Sequence, residues 1–292
     1  MIAELNTLID IIETSLSADP AEAIEISSLA ARLGTTEYHL RRMFSSLAGM
    51  PLSEYVRGRR MTIASAEVIA GEDLLSVAVR YGYGSTEAFG RAFRSVHGIG
   101  PSEARRNGGP LHSQQSIRFR LTIEGNTTMD TRIIDRPAFS LIGHSARVPL
   151  IHEGVNPHIR DFLETIPVDE HHRLKSLSES EPAGPLQVTD GVDPDYREGT
   201  ELTYLHGVAV LATASASADL DVIDVPAGTC AIFTASGAYP AMLQETWAAT
   251  AAEWLPSNPW RLRPGPSIVS VLERAEDFST ATTELWLPVE RE

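Results

Sequence analysis

A short pattern written twice constrains this chain more than any other feature. Ala30-Ala31-Arg32-Leu33-Gly34 returns as Ala78-Val79-Arg80-Tyr81-Gly82, and Leu40, Phe44 and Gly49 return 49 positions later as Phe89, Phe93 and Gly98. Each copy is followed by a proline, Pro51 or Pro101. Ser27, Leu29, Ala30 and Leu33 have helical spacing up to Gly34, which can take the positive φ that ends a helix. Thr36 can then cap a second helix whose apolar stripe is Leu40, Met43, Phe44 and Leu47. In the second copy Val77, Ala78 and Tyr81 lead to Gly82, Ser85 caps, and Phe89, Ala92, Phe93 and Val96 form the stripe. The repeat therefore predicts helix-turn-helix twice over.

With each stripe turned inward, Tyr38, Arg41, Arg42 and Ser45 lie on the outer face of the first copy's second helix. Thr86, Glu87, Gly90, Arg91 and Arg94 lie there in the second. A helix that opens on small polar residues and carries arginines outward suits the DNA major groove, because guanidinium forks match guanine edges and phosphates. A single arginine on a solvated helix face is ordinary; the same arrangement in two copies is not.

The runs SSLAARLGTTEYHLRRMFSSLAGMPLSEYVRGRRM and VAVRYGYGSTEAFGRAFRSVHGIGPSEAR resemble the DNA-binding domain of AraC/XylS-type regulators. Gly82-Tyr83, Phe89, Phe93, Gly98 and Pro101-Ser102 fall where that family has its own landmarks. The resemblance implies two helix-turn-helix units that enter adjacent major-groove segments of double-stranded promoter DNA, joined by a long helix spanning roughly Ser53 to Gly71 with Arg57, Arg59 and Arg60 near its start. It puts the base-reading positions on Tyr38, Arg41 and Arg42 in the first unit and on Thr86, Glu87 and Arg91 in the second, with Arg94 beside them. RNA polymerase is a candidate partner of such a regulator. Glu87 departs from a purely attractive surface; it either accepts from a cytosine amino group or turns outward.

A net charge of −15 looks wrong for a DNA binder until it is divided along the chain. Residues 25–107 hold 11 arginines against 8 acids, whereas residues 108–292 hold 13 basic residues against 26 acids. Phosphate neutralisation is local, so clustered arginine can serve DNA on a molecule that is an anion overall. No apolar run reaches the length of about eighteen residues that a membrane span needs, and Met1-Ile2-Ala3-Glu4 lacks the basic opening of a signal peptide, so the sequence predicts a cytoplasmic protein without a membrane partner. Cys230 is the sole cysteine and reads as a small core residue in a strand.

In chain order, Ile2, Leu5, Leu8, Ile9 and Ile12 predict a first helix that belongs to the DNA-binding domain. After Arg106, Asn107-Gly108-Gly109-Pro110 breaks any helix, and Ile117 to Ile123 alternates as a strand or an extended linker would. The expected division is a DNA-binding domain over 1–107, a linker over 108–127 and a second domain over 128–292.

The second domain has its own, looser repeat. Ile134-Asp135-Arg136-Pro137-Ala138 is matched 89 residues later by Ile223-Asp224-Val225-Pro226-Ala227. Each copy runs on into strand-like residues, then a helical stretch (Ile159 to Ile166, Met242 to Leu255), then strands such as Leu202 to Leu211 and Glu284 to Val289. The expected fold is multidomain: an all-α double helix-turn-helix domain, then an α+β domain of duplicated strand-helix-strand-strand units with helices on one face. This second pattern resembles the GyrI-like effector-binding domain through Val225-Pro226-Ala227-Gly228, Glu245-Thr246-Trp247, Glu253-Trp254-Leu255-Pro256, Tyr204-Leu205-His206-Gly207-Val208 and Glu284-Leu285-Trp286-Leu287-Pro288-Val289. Two departures are Cys230, where an aromatic is usual, and Ser267 to Arg274, which lacks an acidic-then-tyrosine pair.

Alternation in the last strand sends Leu285, Leu287 and Val289 toward the helices, and Glu284, Trp286 and Pro288 to the other side. A carboxylate beside an indole can receive a small hydrophobic cation, a multidrug-type effector, with Trp247, Tyr204, Tyr239 and Trp260 as candidate walls. Two other readings follow from the resemblance: a small-molecule hydrolase using Glu284 as base, and a protein-interaction module. No general acid or nucleophile accompanies Glu284 in the sequence, so the expectation is a binding protein, not an enzyme, without cofactor. His171-His172 reads as part of a loop, not a metal site; Asp190 to Asp195 reads as a turn, and Glu179 to Pro185 as a mobile surface loop.

Overall fold

The computed structural model describes residues 2–120, 130–151, 155–211, 217–277 and 279–291. The chain divides into two compact units, one mainly of the N-terminal helices (residues 1–40 and 47–122) and one mainly of the C-terminal half (residues 123–292, with 41–46 grouped to it).

The helical unit contains α1 (Ile2–Ala18), α2 (Ile26–Arg32), α3 (Glu37–Ala48), α4 (Leu52–Ala70), α5 (Leu74–Arg80), α6 (Thr86–His97) and α7 (Pro101–Asn107). The turns are made as the repeat predicts. Gly34 and Gly82 sit at φ 73° and 83°, a region that costs a Cβ-bearing residue strain. Thr36 Oγ1 accepts from the His39 amide at 3.2 Å and Ser85 Oγ from the Ala88 amide at 3.1 Å, so both second helices are capped by hydroxyls. α2 opens at Ile26, from Glu25, which makes no side-chain cap. Leu40, Met43, Phe44, Phe89 and Phe93 are fully buried. Phe89, Phe93 and the unpredicted core residue His97 stack in sequence along α6, with centroids 5.7 and 4.3 Å apart.

α1 is tied to α4 by Glu13. Its carboxylate accepts from Arg59 Nε and Nη2, both at 2.7 Å, and from the Tyr55 hydroxyl at 2.8 Å. Residues 108–120 have no regular secondary structure, yet they run against this unit rather than hanging free. Arg59 Nη1 donates to Gln114 O at 2.7 Å, the Gln114 amide donates to Thr62 Oγ1 at 2.9 Å, and the Asn6 amide pairs both ways with the Phe119 backbone. The remainder of the expected strand-like run, from Leu121, lies outside the described residues.

The C-terminal unit comprises β1 (Asp130–Arg136), β2 (Phe139–Pro149), α8 (Pro157–Glu164), α9 (Val168–Ser176), β3 (Leu186–Asp190) and β4 (Glu201–Leu211), then β5 (Asp221–Val225), β6 (Gly228–Ala238), α10 (Ala241–Ala249), a π-helical turn Thr250–Trp254, α11 (Leu255–Ser257), β7 (Trp260–Leu262), β8 (Ser267–Arg274) and β9 (Thr280–Arg291). The nine strands form one antiparallel sheet in the order β1-β6-β9-β8-β3-β4-β2-β5, with β7 attached to β9. Exchanging β1 with β5, β2 with β6, β3 with β8 and β4 with β9 reverses this order, so the two repeats are related by a pseudo-two-fold axis through the β3–β8 pair. Each strand-helix-strand-strand unit is preceded by one further short strand, and that strand pairs in the opposite repeat: β1 lies on β6 and β5 on β2.

The matched motif marks these crossings. Asp135 accepts from Thr229 Oγ1 at 2.6 Å, and its mate Asp224 accepts from Ser140 Oγ at 2.8 Å, so each aspartate anchors the strand that follows the other repeat's proline. Because only Pro137 and Ala138 separate β1 from β2, which stand near opposite ends of the strand order, the sheet must curl until its ends approach. Its inner face is a single apolar cluster of Phe139, Leu141, Leu186, Val188, Leu205, Ala209, Val225, Cys230, Ile232, Ile268 and Trp286. The helices cover the outer face. Leu174 of α9 packs on Ile142, Val208 and Val210, and Phe233 meets Trp254 edge to face at 5.0 Å.

One local expectation is corrected. His171 and His172 lie within α9, not in a loop. Asp169 and Glu170 in its first turn and Arg173 and Lys175 in its last complement the helix dipole, and Leu174 anchors it.

Candidate functional site

In the helical unit the two arginine-bearing faces are set by helix geometry. On α3, Tyr38, Arg41 and Arg42 lie opposite the stripe of Leu40, Met43 and Phe44, but Arg42 and Ser45, expected to be exposed, are themselves buried, at 5% and 3%. On α6, Thr86, Glu87, Arg91 and Arg94 lie opposite Phe89 and Phe93. Glu87 turns back on its own helix: its backbone amide and then the Ser85 hydroxyl hold the carboxyl below the usual carboxylate range, against a small effect of burial. Its charge therefore meets the helix N-terminus before it meets anything outside. Arg94 folds toward the α6–α7 turn, where a Cβ on Gly100 would lie 2.7 Å from its Nη2. Glycine at that position leaves the guanidinium its room.

In the C-terminal unit the predicted ligand residues fall into separate places. Glu284 and Trp286 stand together on the inner face of β9. The indole Nε1 donates to Glu284 Oε2 at 3.0 Å, and the ring is 2% exposed. Tyr204 is on the outer face, 2% exposed and edge to face with Phe162 at 6.1 Å. Burial pushes its hydroxyl pKa up, and that hydroxyl has no hydrogen-bond partner. Tyr239 is also away from Glu284; its hydroxyl exchanges hydrogen bonds with the Gln187 amide at 3.0 and 3.2 Å. Trp247 is on α10 and Trp260 on β7, both half-buried.

Two residues of the inner face were missed from the sequence. Arg132 Nη2 donates to Glu284 Oε1 at 2.9 Å, and the guanidinium carbon stands 5.7 Å from the Trp286 ring centre. Arg136 stands 5.7 Å from the same ring and 4.8 Å from the Phe139 ring. The alternation of β1 puts Arg132, Ile134 and Arg136 on one face, which is the available sequence signal; that β1 lies across β6 and within reach of β9 is not in the alternation.

On the outer face His171 Nδ1 and His206 Nε2 are 3.0 Å apart, and His144 Nε2 is 2.8 Å from Glu170. Burial, with His171 and His144 adding to it, lowers the His206 pKa to about 4, so that ring is neutral at physiological pH. Among the described residues no group of three or more His, Cys, Asp or Glu is arranged to hold a metal ion, and no helix is long and apolar enough to cross a membrane.

A double helix-turn-helix unit bearing arginines on both second helices, followed by a duplicated α+β unit, defines the class: an AraC-type transcriptional regulator with a C-terminal ligand-binding domain. Residues 129–290 match the GyrI-like small molecule binding domain, more than half of the chain, and residues 29–107 match a helix-turn-helix domain. The chain belongs to the GyrI-like family and carries an AraC-type DNA-binding domain. It is 33% identical over 106 residues to the probable transcription factor PqrA of Proteus vulgaris, an alignment that spans 36% of this chain and 84% of that one. It is 34% identical over 80 residues to the transcriptional activator AarP of Providencia stuartii, spanning 27% of this chain and 59% of that one. The multiple antibiotic resistance protein MarA of Salmonella typhimurium is 30% identical over 102 residues, 35% of this chain and 77% of that one. The solved structure of SAV2435 bound to tetraphenylphosphonium aligns over 56% of this chain and 94% of that chain at 19% identity and a TM-score of 0.43, a likeness too distant to bear on function.

Proposed function

We propose that the helical unit, residues 1–107, reads promoter DNA through α3 and α6, and that the GyrI-like unit, residues 128–292, takes up a small hydrophobic cation whose binding changes promoter output. The DNA half of this reading is supported by Arg41, Arg42, Arg91 and Arg94 standing on the faces opposite the two buried stripes. The observation that carries the effector half is the Glu284 carboxylate 3.0 Å from the Trp286 indole nitrogen, beside the apolar cluster of the inner face. A carboxylate there gives charge selectivity and the indole gives an aromatic surface. RNA polymerase is the partner through which a promoter-bound regulator of this kind acts.

The test is fluorescence anisotropy of the purified protein on its own upstream DNA over a salt series, with and without a panel of lipophilic cations and their neutral analogues. Sequence-specific binding that weakens in Arg42→Ala and Arg91→Ala and shifts with a cation supports the proposal. Specific DNA binding that no compound alters overturns the effector half. A hydrolase reading has one observation in its favour, an inner-face carboxylate, but both of its oxygens are already hydrogen-bonded. Turnover of a reactive ester that disappears in Glu284→Gln would establish it.

A further inference from the structure

The structure already contains a cation on the Glu284–Trp286 pair, and it is the protein's own. Arg132 Nη2 sits 2.9 Å from Glu284 Oε1 with its guanidinium carbon 5.7 Å from the indole centre, while the other carboxylate oxygen is taken by Trp286 Nε1. Both oxygens of the Glu284 carboxylate are therefore engaged within the protein, and the face of the indole nearest them is shared with a guanidinium.

The two members of the ion pair differ in their freedom. The Glu284 side chain is 13% exposed and fixed on β9 between Thr234 and Ser270 of the neighbouring strands. The Arg132 side chain is 47% exposed and rises from β1, the end strand of the order, which among the described residues pairs with β6 alone. A long side chain on such a strand can swing into water without breaking a ladder hydrogen bond.

The pseudo-two-fold axis shows that the fold does not need this ion pair. The registers Arg132↔Ile232↔Trp286 and Asp221↔Gly143↔Gly207 are equivalent rows of the two repeats. In the other repeat Asp221 therefore stands where Arg132 does, Gly207 where Trp286 does, and Leu205 where Glu284 does. The same curl is built there with neither guanidinium nor indole in the row, and the Asp221 carboxylate accepts instead from the Ser145 amide at 3.0 Å and hydroxyl at 2.7 Å. The Arg132–Glu284–Trp286 group is an addition to one half of a scaffold that closes without it.

We propose that Arg132 is an internal competitor for the effector site: its guanidinium holds the place on Glu284 and Trp286 that a cationic ligand takes, and a cation binds by displacing it. This rests on the reading of that site as a cation receptor. The competitor sets a threshold, since an effector must offer more contact with the indole and the apolar wall than an arginine stem does. Arg136, 5.7 Å from the same ring and 3.5 Å from Ser180 Oγ, keeps a second positive charge nearby and turns the preference toward ligands with one charge spread over a broad apolar body.

Equilibrium dialysis at pH 8 with crystal violet, a triarylmethane cation, and leuco crystal violet, its uncharged counterpart, tests this on the full chain. Arg132→Met, which keeps the apolar stem and removes the charge, is expected to bind crystal violet roughly tenfold more tightly than the parent, the scale of one charge-assisted hydrogen bond. Arg132→Gln serves as a second neutral replacement. Leuco crystal violet should be unaffected, Arg132→Lys should behave as the parent, and adding Glu284→Gln should remove the gain. Equal or weaker crystal violet binding in both neutral variants, with the parent's binding still dependent on Glu284, overturns the competitor and leaves the site reading in place. Absence of any Glu284-dependent binding in the parent and both neutral variants overturns both.

Discussion

Glu13→Gln isolates the tie between α1 and α4 with almost no change of shape. The carboxylate accepts two hydrogen bonds from one Arg59 guanidinium and a third from Tyr55, and the Arg59 and Glu13 side chains are 15% and 23% exposed. Glutamine keeps one acceptor, turns an amide donor toward a guanidinium that can only donate, and removes the charge. An exposed ion pair contributes about 0–1 kcal/mol and breaking a buried one costs about 3–5 kcal/mol. With water still reaching both groups, the expected loss is about 2 kcal/mol. All four tryptophans lie in the C-terminal unit, so urea unfolding followed by far-ultraviolet circular dichroism of the helices is the appropriate assay.

The sign of the pH dependence follows from the same contacts. Burial works to raise the Glu13 pKa, but hydrogen bonds from Arg59 and Tyr55 and the charge of Arg59 outweigh it, and the net shift is downward. A carboxyl whose folded pKa is depressed contributes stability that is present above its unfolded pKa, about 4.3, and is lost as pH falls through the folded pKa. The difference between parent and variant should therefore be full at pH 7 and shrink below about pH 4. The reasoning is refuted if the difference at pH 7 is under about 0.5 kcal/mol, the scale of an exposed pair, or if it persists unchanged in acid.

Three further outcomes are expected. Arg91→Ala should cost about 1–3 kcal/mol on specific DNA and relax sequence preference, whereas Arg94→Ala should weaken binding evenly and lower the salt slope by about one; anisotropy over a salt series separates the two. Gly207→Ala would put a Cβ 2.0 Å from Ile142 O, a backbone atom that moves only if β2 and β4 part, so a loss of about 3 kcal/mol or more is expected in urea unfolding followed by tryptophan emission; an unchanged midpoint contradicts the tight pairing. Ser85→Ala should remove the α6 cap at a cost of about 1 kcal/mol and speed amide exchange in the first turn of that helix, while Ser85→Gly should cost only a few tenths.

The helical unit was legible because its information is local. Gly34 and Gly82 mark where the chain must turn, Thr36 and Ser85 mark where it must start again, and the stripes of Leu40 and Phe44 or Phe89 and Phe93 show which way each helix faces. The C-terminal repeat was legible only in outline. Four matched residues located Asp135 and Asp224, but nothing local reveals that each aspartate bonds to a hydroxyl of the other repeat, because strand exchange is decided by closure of the whole sheet. The same reason hid Arg132 and Arg136: a strand's alternation gives a face, not its neighbours. Trp286 and Glu284 were set on the correct side of β9 by alternation alone, whereas Tyr204 and Tyr239 were grouped with them on residue type and stand on the other side of the sheet. His97 was missed because a buried histidine with its Nε2 3.0 Å from Met61 O has the spacing of an apolar residue only after the fold has supplied its partner.

The exchange of β1 and β5 has a consequence for how the C-terminal unit lives and changes. Neither repeat owns a complete set of strands, since each lends its first to the other and borrows one in return. A break in the chain between residues 211 and 221 would yield two pieces, each lacking a strand that the other carries. Unfolding of one half strips an edge from the other, so the two halves melt as one. An inherited change in either copy is then judged on the architecture of both, which holds the halves to a common backbone while leaving the row of Arg132, Glu284 and Trp286 free to differ from its mirror.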